Sequence, residues 1–455
     1  MIKRIAILFS CLFILLILLT NLSGDVIAAD GPLGQASPGP DQLPVGQVKT
    51  EVLPTGGQTG AEVFGNKGGF FHPFLLVEEE YTDNLYNTES GREDDYITTF
   101  SPGIWLAFPS NREKLLEMGT SNTSPGGLKV SRVKPDAARR FQSYLLYAPE
   151  FVYYETHSDH DSVNHKAEGQ LQYNFNMGLS LDAVDQFNSR SEVNDNGVSR
   201  RLDEYQDNLF NFLAEYDSSE KFRFRFDYSN YALDYKDEIN DFRNRVDNSF
   251  AAYIFYKFKA KTSLFAEYEF ADIKYDTDFD SNSSTEDRYY AGLDWEVTAK
   301  TKGRVKLGYI EKVFDAAGVD EQSAFSMEVQ GQHNFTPKRA LRVTGFRKFN
   351  ESIMISSFAS LSTGTALALL QRFTEKWSGT LNGSFTRDEY KGLFVIRGAV
   401  DERADDIFSV APALRYKFRD WMFFDLAYVY SQRDSNFTLF DYESNTVFLR
   451  VNVSM

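Results

Sequence analysis

Two short segments of the sequence combine residue types that could bind a metal ion. The segment HSDHDSVNH holds His157, His160 and His165 with two aspartates, and these are side chains that transition metals use. Their spacing matches no standard zinc pattern, so we interpret the segment as an exposed polar loop. We expect no metal there.

The second segment, DTDFDSNSSTED, resembles a calcium-binding loop in the placement of its acidic residues, Asp276, Asp278, Asp280 and Asp287. Ser281 stands where such a loop needs glycine for its sharp turn, and the bidentate glutamate is missing. Calcium binding to this loop is therefore only a secondary hypothesis, and the sequence predicts no cofactor.

Catalysis would need a nucleophile beside a base. His333 falls in the same register as Val329 and Phe335, on the apolar side of its segment, and His72 has no clear partner. We therefore predict no catalytic residue and no enzymatic activity.

A third group consists of basic residues that lie within a few positions of short polar turns: Arg223, Arg225, Lys257, Arg304, Lys306, Arg415 and Lys417. If the turns meet at one end of a barrel, these residues form a cationic belt around its periplasmic mouth. A ring of one charge concentrates its counter-ion, which would suit the passage of an anionic chain. The alternative is that the belt merely solvates the rim.

The elements that carry these residues are predicted to be β-strands. In KFRFRFDYSNY, Phe222, Phe224 and Phe226 alternate with Arg223 and Arg225, so aromatic and charged side chains point to opposite faces. A soluble sandwich would turn the aromatic face inward. A membrane barrel would instead turn it towards lipid and the charges towards a watery lumen.

Short turns recur about every 40 residues from residue 176 to residue 421, and a longer, mostly acidic loop lies between each pair. Each period contains two alternating segments of 12 to 16 residues, which are longer than propeller strands and long enough to cross a membrane. Only a closed barrel lets strands cross lipid with every backbone group bonded. The pattern therefore predicts an all-β transmembrane antiparallel up-and-down barrel of about 18 strands, with 16 as the alternative.

The sequence outside the barrel strands is predicted to contain a signal peptide, a linker and an insertion. Residues 1–29 combine a basic start, an apolar run and small residues, which is typical of a signal peptide. An uncleaved membrane anchor is the alternative. Residues 30–68 resemble a disordered periplasmic linker, and the barrel is predicted over 69–455. Residues 110–140 interrupt it as a periplasmic insertion or, alternatively, a lumen plug.

The first predicted strands of the barrel resemble those of a known family. EYTDNLY, which contains Thr82, Asp83 and Asn84, precedes DDYITTFSPGIWLAF, and the two together are similar to the first strands of the putative beta-barrel porin type 2 family. This resemblance implies an outer-membrane barrel of Gram-negative bacteria, associated with export of exopolysaccharide or capsular polysaccharide. An Asx turn is the expected role of the TDN motif. The last strand also resembles the C-terminal signal of such barrels, although Met455 replaces the usual Phe or Trp.

We therefore expect a polysaccharide conduit in the bacterial outer membrane. Its expected partners are the polysaccharide, periplasmic polysaccharide-export proteins, outer-membrane lipid and the barrel assembly machinery. A formal charge of -17 argues against nucleic acid. A general or solute-specific uptake porin is the main alternative, and a structural or adhesive barrel is the third.

Overall fold

The structure is a computed structural model that describes residues 69–111, 140–193, 200–276, 282–298, 300–352, 357–396 and 399–454. The expected signal peptide, the linker and nearly all of the 110–140 insertion lie outside the described residues. So do Asp278 and Asp280 of the calcium-loop hypothesis. No helix of the described part is long and apolar enough to cross a membrane.

The described residues form eighteen strands in one antiparallel sheet. In chain order they are β1 Gly69–Thr82, β2 Asp95–Asn111, β3 Phe141–Tyr154, β4 Ser162–Asn174, β5 Leu179–Val193, β6 Leu202–Asp217, β7 Phe222–Tyr235, β8 Arg245–Lys259, β9 Thr262–Tyr275, β10 Ser284–Thr298, β11 Thr301–Phe314, β12 Gln322–Thr336, β13 Arg339–Glu351, β14 Ala359–Arg372, β15 Trp377–Ile396, β16 Ala399–Arg419, β17 Met422–Ser435 and β18 Tyr442–Ser454. Short 3-10 turns occupy Ser158–His160, Glu238–Arg243 and Thr438–Phe440.

The sheet closes on itself, because β1 pairs with β18 as well as with β2. The β1–β18 seam runs in continuous register from Phe74 opposite Ser454 to Thr82 opposite Thr446. Every other strand pairs with its neighbours in the sequence, as in an up-and-down barrel. The predicted fold class and the strand count of 18 are therefore confirmed.

The two ends of the barrel differ in the length of their connections. Seven of the connections at one end are turns of two to four residues, between the strand pairs β4–β5, β6–β7, β8–β9, β10–β11, β12–β13, β14–β15 and β16–β17. These are the turns predicted from the repeat. At the other end most connections are longer. The acidic segment 388–406 lies between two of the short turns, where the repeat predicts a long loop, but it is mostly strand, because β15 and β16 leave only residues 397 and 398 between them.

Side chains alternate between the outside and the inside of the barrel as the sequence predicts. On β7, the outward Phe222, Phe224 and Phe226 are 41%, 44% and 42% exposed, whereas the inward Arg225 and Asp227 are each 7% exposed. This is the aromatic-outside, charged-inside arrangement of a membrane barrel.

The inside of the barrel is closely packed over β5 to β7, where inward Val184, Tyr205, Leu209, Tyr231 and Leu233 belong to one buried cluster. Inward rings also lie over glycines of the neighbouring strand, as Phe346 does over Gly364, where a Cβ atom would come within 2.5 Å of the ring. Glycine permits this close approach because it has no side chain.

Candidate functional site

The predicted cationic belt lies on the inner wall near the short-turn end, and every member has a carboxylate partner. Arg415 donates to both carboxylate oxygens of Asp425 at 2.6 and 2.9 Å, and Arg225 does the same to Asp227 at 2.7 and 2.5 Å. The remaining pairs are Arg223 with Glu215 (3.6 Å), Lys257 with Asp217 (2.7 Å), Arg304 with Asp294 (2.8 Å), Lys306 with Glu267 (3.3 Å) and Glu328 (3.0 Å), and Lys417 with Asp420 (2.7 Å). Seven cations thus meet eight carboxylates, and the belt and its partners carry no net positive charge.

Aromatic rings form a second set of partners for the belt. The guanidinium of Arg223 lies 4.1 Å from the ring centre of Phe255, and the ammonium of Lys306 lies 4.3 Å from that of Tyr290. Arg225, Arg304 and Arg415 lie 5.1 to 5.5 Å from the rings of Tyr253, Phe265 and Phe423, respectively. Such cation–π contacts strengthen when they are shielded from water. The alternation along each strand predicts that these rings face inward. It does not predict which ring contacts which belt residue, because that depends on strand register.

A second charged network lies on the inner wall nearer the long-loop end. The Lys312 ammonium, which is fully buried, donates to Glu286 at 2.9 Å and to Glu351 at 2.6 Å. Arg288 pairs with Glu286 on its own strand and with Glu269 on β9. The hydroxyl group of Tyr275 donates to the other oxygen of Glu351 at 2.7 Å.

Glu351 reaches this network because the end of the β13–β14 hairpin leans into the barrel. The pairing of β12 with β13 stops at Met327 opposite Arg347, whereas β13 stays paired with β14 up to Glu351. Beyond that point Phe349 is 1% exposed and packs with Ile310 and Ala324, which face the lumen. We call residues 348–351 and 359–362 the inward hairpin, and it narrows the long-loop end of the lumen.

The TDN motif lies at the seam where the barrel closes. Asp83 accepts hydrogen bonds from the backbone N–H and the side-chain amide of Asn445, both at 2.7 Å. The side-chain amide of Asn84 donates to the carbonyl oxygens of Thr88 and Glu443 at 2.8 and 2.9 Å.

Thr82 completes the seam contacts at the end of β1, with its hydroxyl group 3.4 Å from that of Thr446. The Thr88 N–H donates to Asn84 Oδ1 at 3.0 Å, a bond that spans four residues instead of the two residues of an Asx turn. The contacts to β18 are a role that the sequence does not reveal.

Two histidines of HSDHDSVNH, His157 and His160, contact residues in and next to the β1–β2 connection. His157 bridges two carboxylates, with Nδ1 2.7 Å from Asp95 and Nε2 2.8 Å from Glu93. Burial lowers the pKa of His157, but the hydrogen bonds that the ring donates to Asp95 and Glu93 outweigh it and raise the pKa above its ordinary value. His160 lies 2.7 Å from the Tyr86 hydroxyl group.

The other candidate residues are dispersed. His165 lies on β4, 3.0 Å from the Tyr147 hydroxyl group, and Asp287 lies on β10, where it accepts from Tyr268 at 2.6 Å. Within the described ranges, no group of three or more His, Cys, Asp or Glu side chains could hold a metal ion. His333 contacts Thr301 at 2.7 Å and stands on the outward register of β12.

The chain matches a family model and is similar to solved structures of other proteins. Residues 62–455 match the family model described as putative beta-barrel porin 2. The chain is similar in structure to OpdK of Pseudomonas aeruginosa solved with vanillate, with 8% identity over 85% of this chain and 100% of that one and a TM-score of 0.43. It is also similar to OccK3 (OpdO) of the same organism, with 10% identity over 87% and 98% and a TM-score of 0.41. No curated protein matches the sequence.

Proposed function

This chain belongs to the putative beta-barrel porin 2 family and is an outer-membrane β-barrel, and from this premise we propose that it is the conduit through which an exopolysaccharide or capsular polysaccharide leaves the cell. The proposal rests on the family resemblance of the TDN and SPG segments and on an inner wall that carries many polar and charged side chains among apolar ones. The family and the fold point to a channel rather than an enzyme.

The observation that supports the proposal best is that the basic side chains of the inner wall are paired with carboxylates. A conduit must contact its polymer at many weak sites, because a strongly bound chain would not move. The cations of the belt are already paired, as Arg225 is with Asp227 and Arg415 with Asp425, so the belt does not present an uncompensated charge that would hold a passing chain strongly.

The cationic belt remains our proposed periplasmic end of the polymer path. Its members line the short-turn end of the lumen, which periplasmic polysaccharide-export proteins would meet. We further propose that the barrel assembly machinery inserts the chain and that the outward aromatic residues contact outer-membrane lipid.

Gene deletion tests the proposal directly. Loss of the chain should lower surface polysaccharide sharply and leave polymer in the periplasm, and plasmid-borne wild-type protein should restore export. If surface polysaccharide is unchanged while growth on one small solute slows, the uptake porin becomes the better account. If neither changes, the structural or adhesive barrel gains support.

A further inference from the structure

The inner wall is not equally accessible to solvent around the barrel. Over β5 to β10 its side chains cover one another, and Tyr231 and Glu269 are both fully buried. On β12 to β15, in the halves nearer the short turns, inward side chains are partly exposed. These are Gln330, Gln332, Thr344, Ala366, Ala368, Asn382 and Ser384, which we call the polar strip.

Strand register arranges the polar strip in two rows across four adjacent strands. Gln330 lies opposite Thr344, Thr344 opposite Ala366, and Ala366 opposite Ser384. The next row contains Gln332, Arg342, Ala368 and Asn382 in the same order. Because directly opposed residues share a face, both rows point into the lumen.

Apart from Arg342, the side chains of the two rows are uncharged. Amide and hydroxyl groups both donate and accept hydrogen bonds, so they can exchange partners with sugar hydroxyls without a full charge to desolvate. Ala366 and Ala368 in the middle leave room for a chain to lie against the wall. Arg342 is the cation within the second row, and Glu328, one row further from the short turns, pairs with Lys306.

An aromatic ring adjoins the strip on the side of the long loops. Phe346 is partly exposed, lies in the row next to Thr344 and covers Gly364. A ring of this kind gives a sugar an apolar face to pack against.

We propose that the polar strip is the track along which the polymer moves, and that it selects an uncharged, hydroxyl-rich chain. This inference rests on the proposed function and specifies its substrate class. The path is eccentric, since it follows β12 to β15, while the ion-paired wall of β7 to β11 lies beside it in the sheet.

Tryptophan substitutions test the track with a matched control. In purified, lipid-reconstituted protein, Ala366→Trp with Ala368→Trp should lower the flux of a neutral glucose oligomer about tenfold, equivalent to roughly 1.4 kcal/mol on the barrier. Thr365→Trp with Leu367→Trp places two tryptophans on the same strand but on its outward face, and it should leave the flux unchanged. Wild-type protein should also pass the glucose oligomer faster than a galacturonate oligomer of equal length.

A second variant guards against misfolding. The only cysteine of the chain is Cys11, so Ala368→Cys in a Cys11→Ser background can be modified after assembly with a bulky neutral thiol reagent. Block of neutral flux supports the track. Unchanged flux in both modified and tryptophan proteins, or faster passage of the galacturonate oligomer, overturns it. The gene-deletion result is independent of these fluxes, so failure of the track is distinguishable from failure of polysaccharide export.

Discussion

At the scale of single residues, the inner charges act as packing elements. The sequence predicts that Arg225 and Arg415 point inward, because alternation fixes the face of a strand residue. It does not predict that Asp227 and Asp425 neutralise them, since partners depend on side-chain conformation and strand register. Removing one member of a buried pair costs about 3 to 5 kcal/mol. A test of the belt should therefore exchange the partners, as in Arg415→Asp with Asp425→Arg, rather than reverse one charge.

The His157 bridge predicts a pH-dependent contact between loops. Its folded-state pKa is raised, so its stabilising effect is complete below the ordinary histidine pKa of about 6.5 and is lost as pH rises through the higher folded value. The groups around it are Glu93, Asp95, Tyr86 and His160, and Arg200 pairs with Glu93 at 2.5 Å.

Glu89 is an exposed residue of the β1–β2 connection, which also contains Glu93. A nitroxide label at Glu89→Cys should become more mobile as the pH is raised from acidic to alkaline values. His157→Gln keeps polar contacts without the charge and should remove this pH dependence. A label whose mobility changes equally in both proteins would contradict the bridge.

At the scale of elements, the sequence identifies every short turn but misses two features of the other end. The segment 388–406 continues as paired strand, because inward side chains such as Tyr390 and Phe394 are still buried there. On β13, alternation would place Phe349 and Glu351 outside with Val343. The structure buries both, because the strand leaves β12 and bends inward. The local sequence does not predict either feature, because both depend on contacts with strands that are distant in the sequence.

The seam around the TDN motif is the element whose loss should weaken the barrel most specifically. The partner of Asp83 is Asn445, 362 residues away, which explains why the sequence identifies the motif but not its role. Asp83→Ala should lower the stability of the folded barrel by about 1 to 3 kcal/mol, because two donors lose their acceptor. The readout is the temperature at which the compact barrel unfolds in detergent. Asp234→Ala, which removes an exposed carboxylate at the same end, is the control, and an equal loss there would refute the seam role.

At the scale of the whole molecule, the unequal ends predict the orientation in the outer membrane. In a Cys11→Ser background, Ile239→Cys in the β7–β8 connection, 63% exposed, should react with an impermeant thiol reagent on intact cells. Lys261→Cys in the β8–β9 turn should react only after the outer membrane is permeabilised, because short turns of such barrels are periplasmic. The opposite labelling would invert the topology.

The seam between β1 and β18 also constrains the order of folding. Bringing the ends of an unstructured chain of this length together would cost about 5 kcal/mol more than closing the shortest loop, by the logarithmic scaling of loop entropy. Neighbouring hairpins avoid that cost, so the seventeen sequential pairings should form first and the curved sheet should then present β1 to β18. Until the 13 residues of β18 have been synthesised and docked, β1 and β17 remain open edges that can pair with another chain. A truncation before Tyr442 would therefore leave an open sheet that is prone to aggregation instead of a smaller barrel.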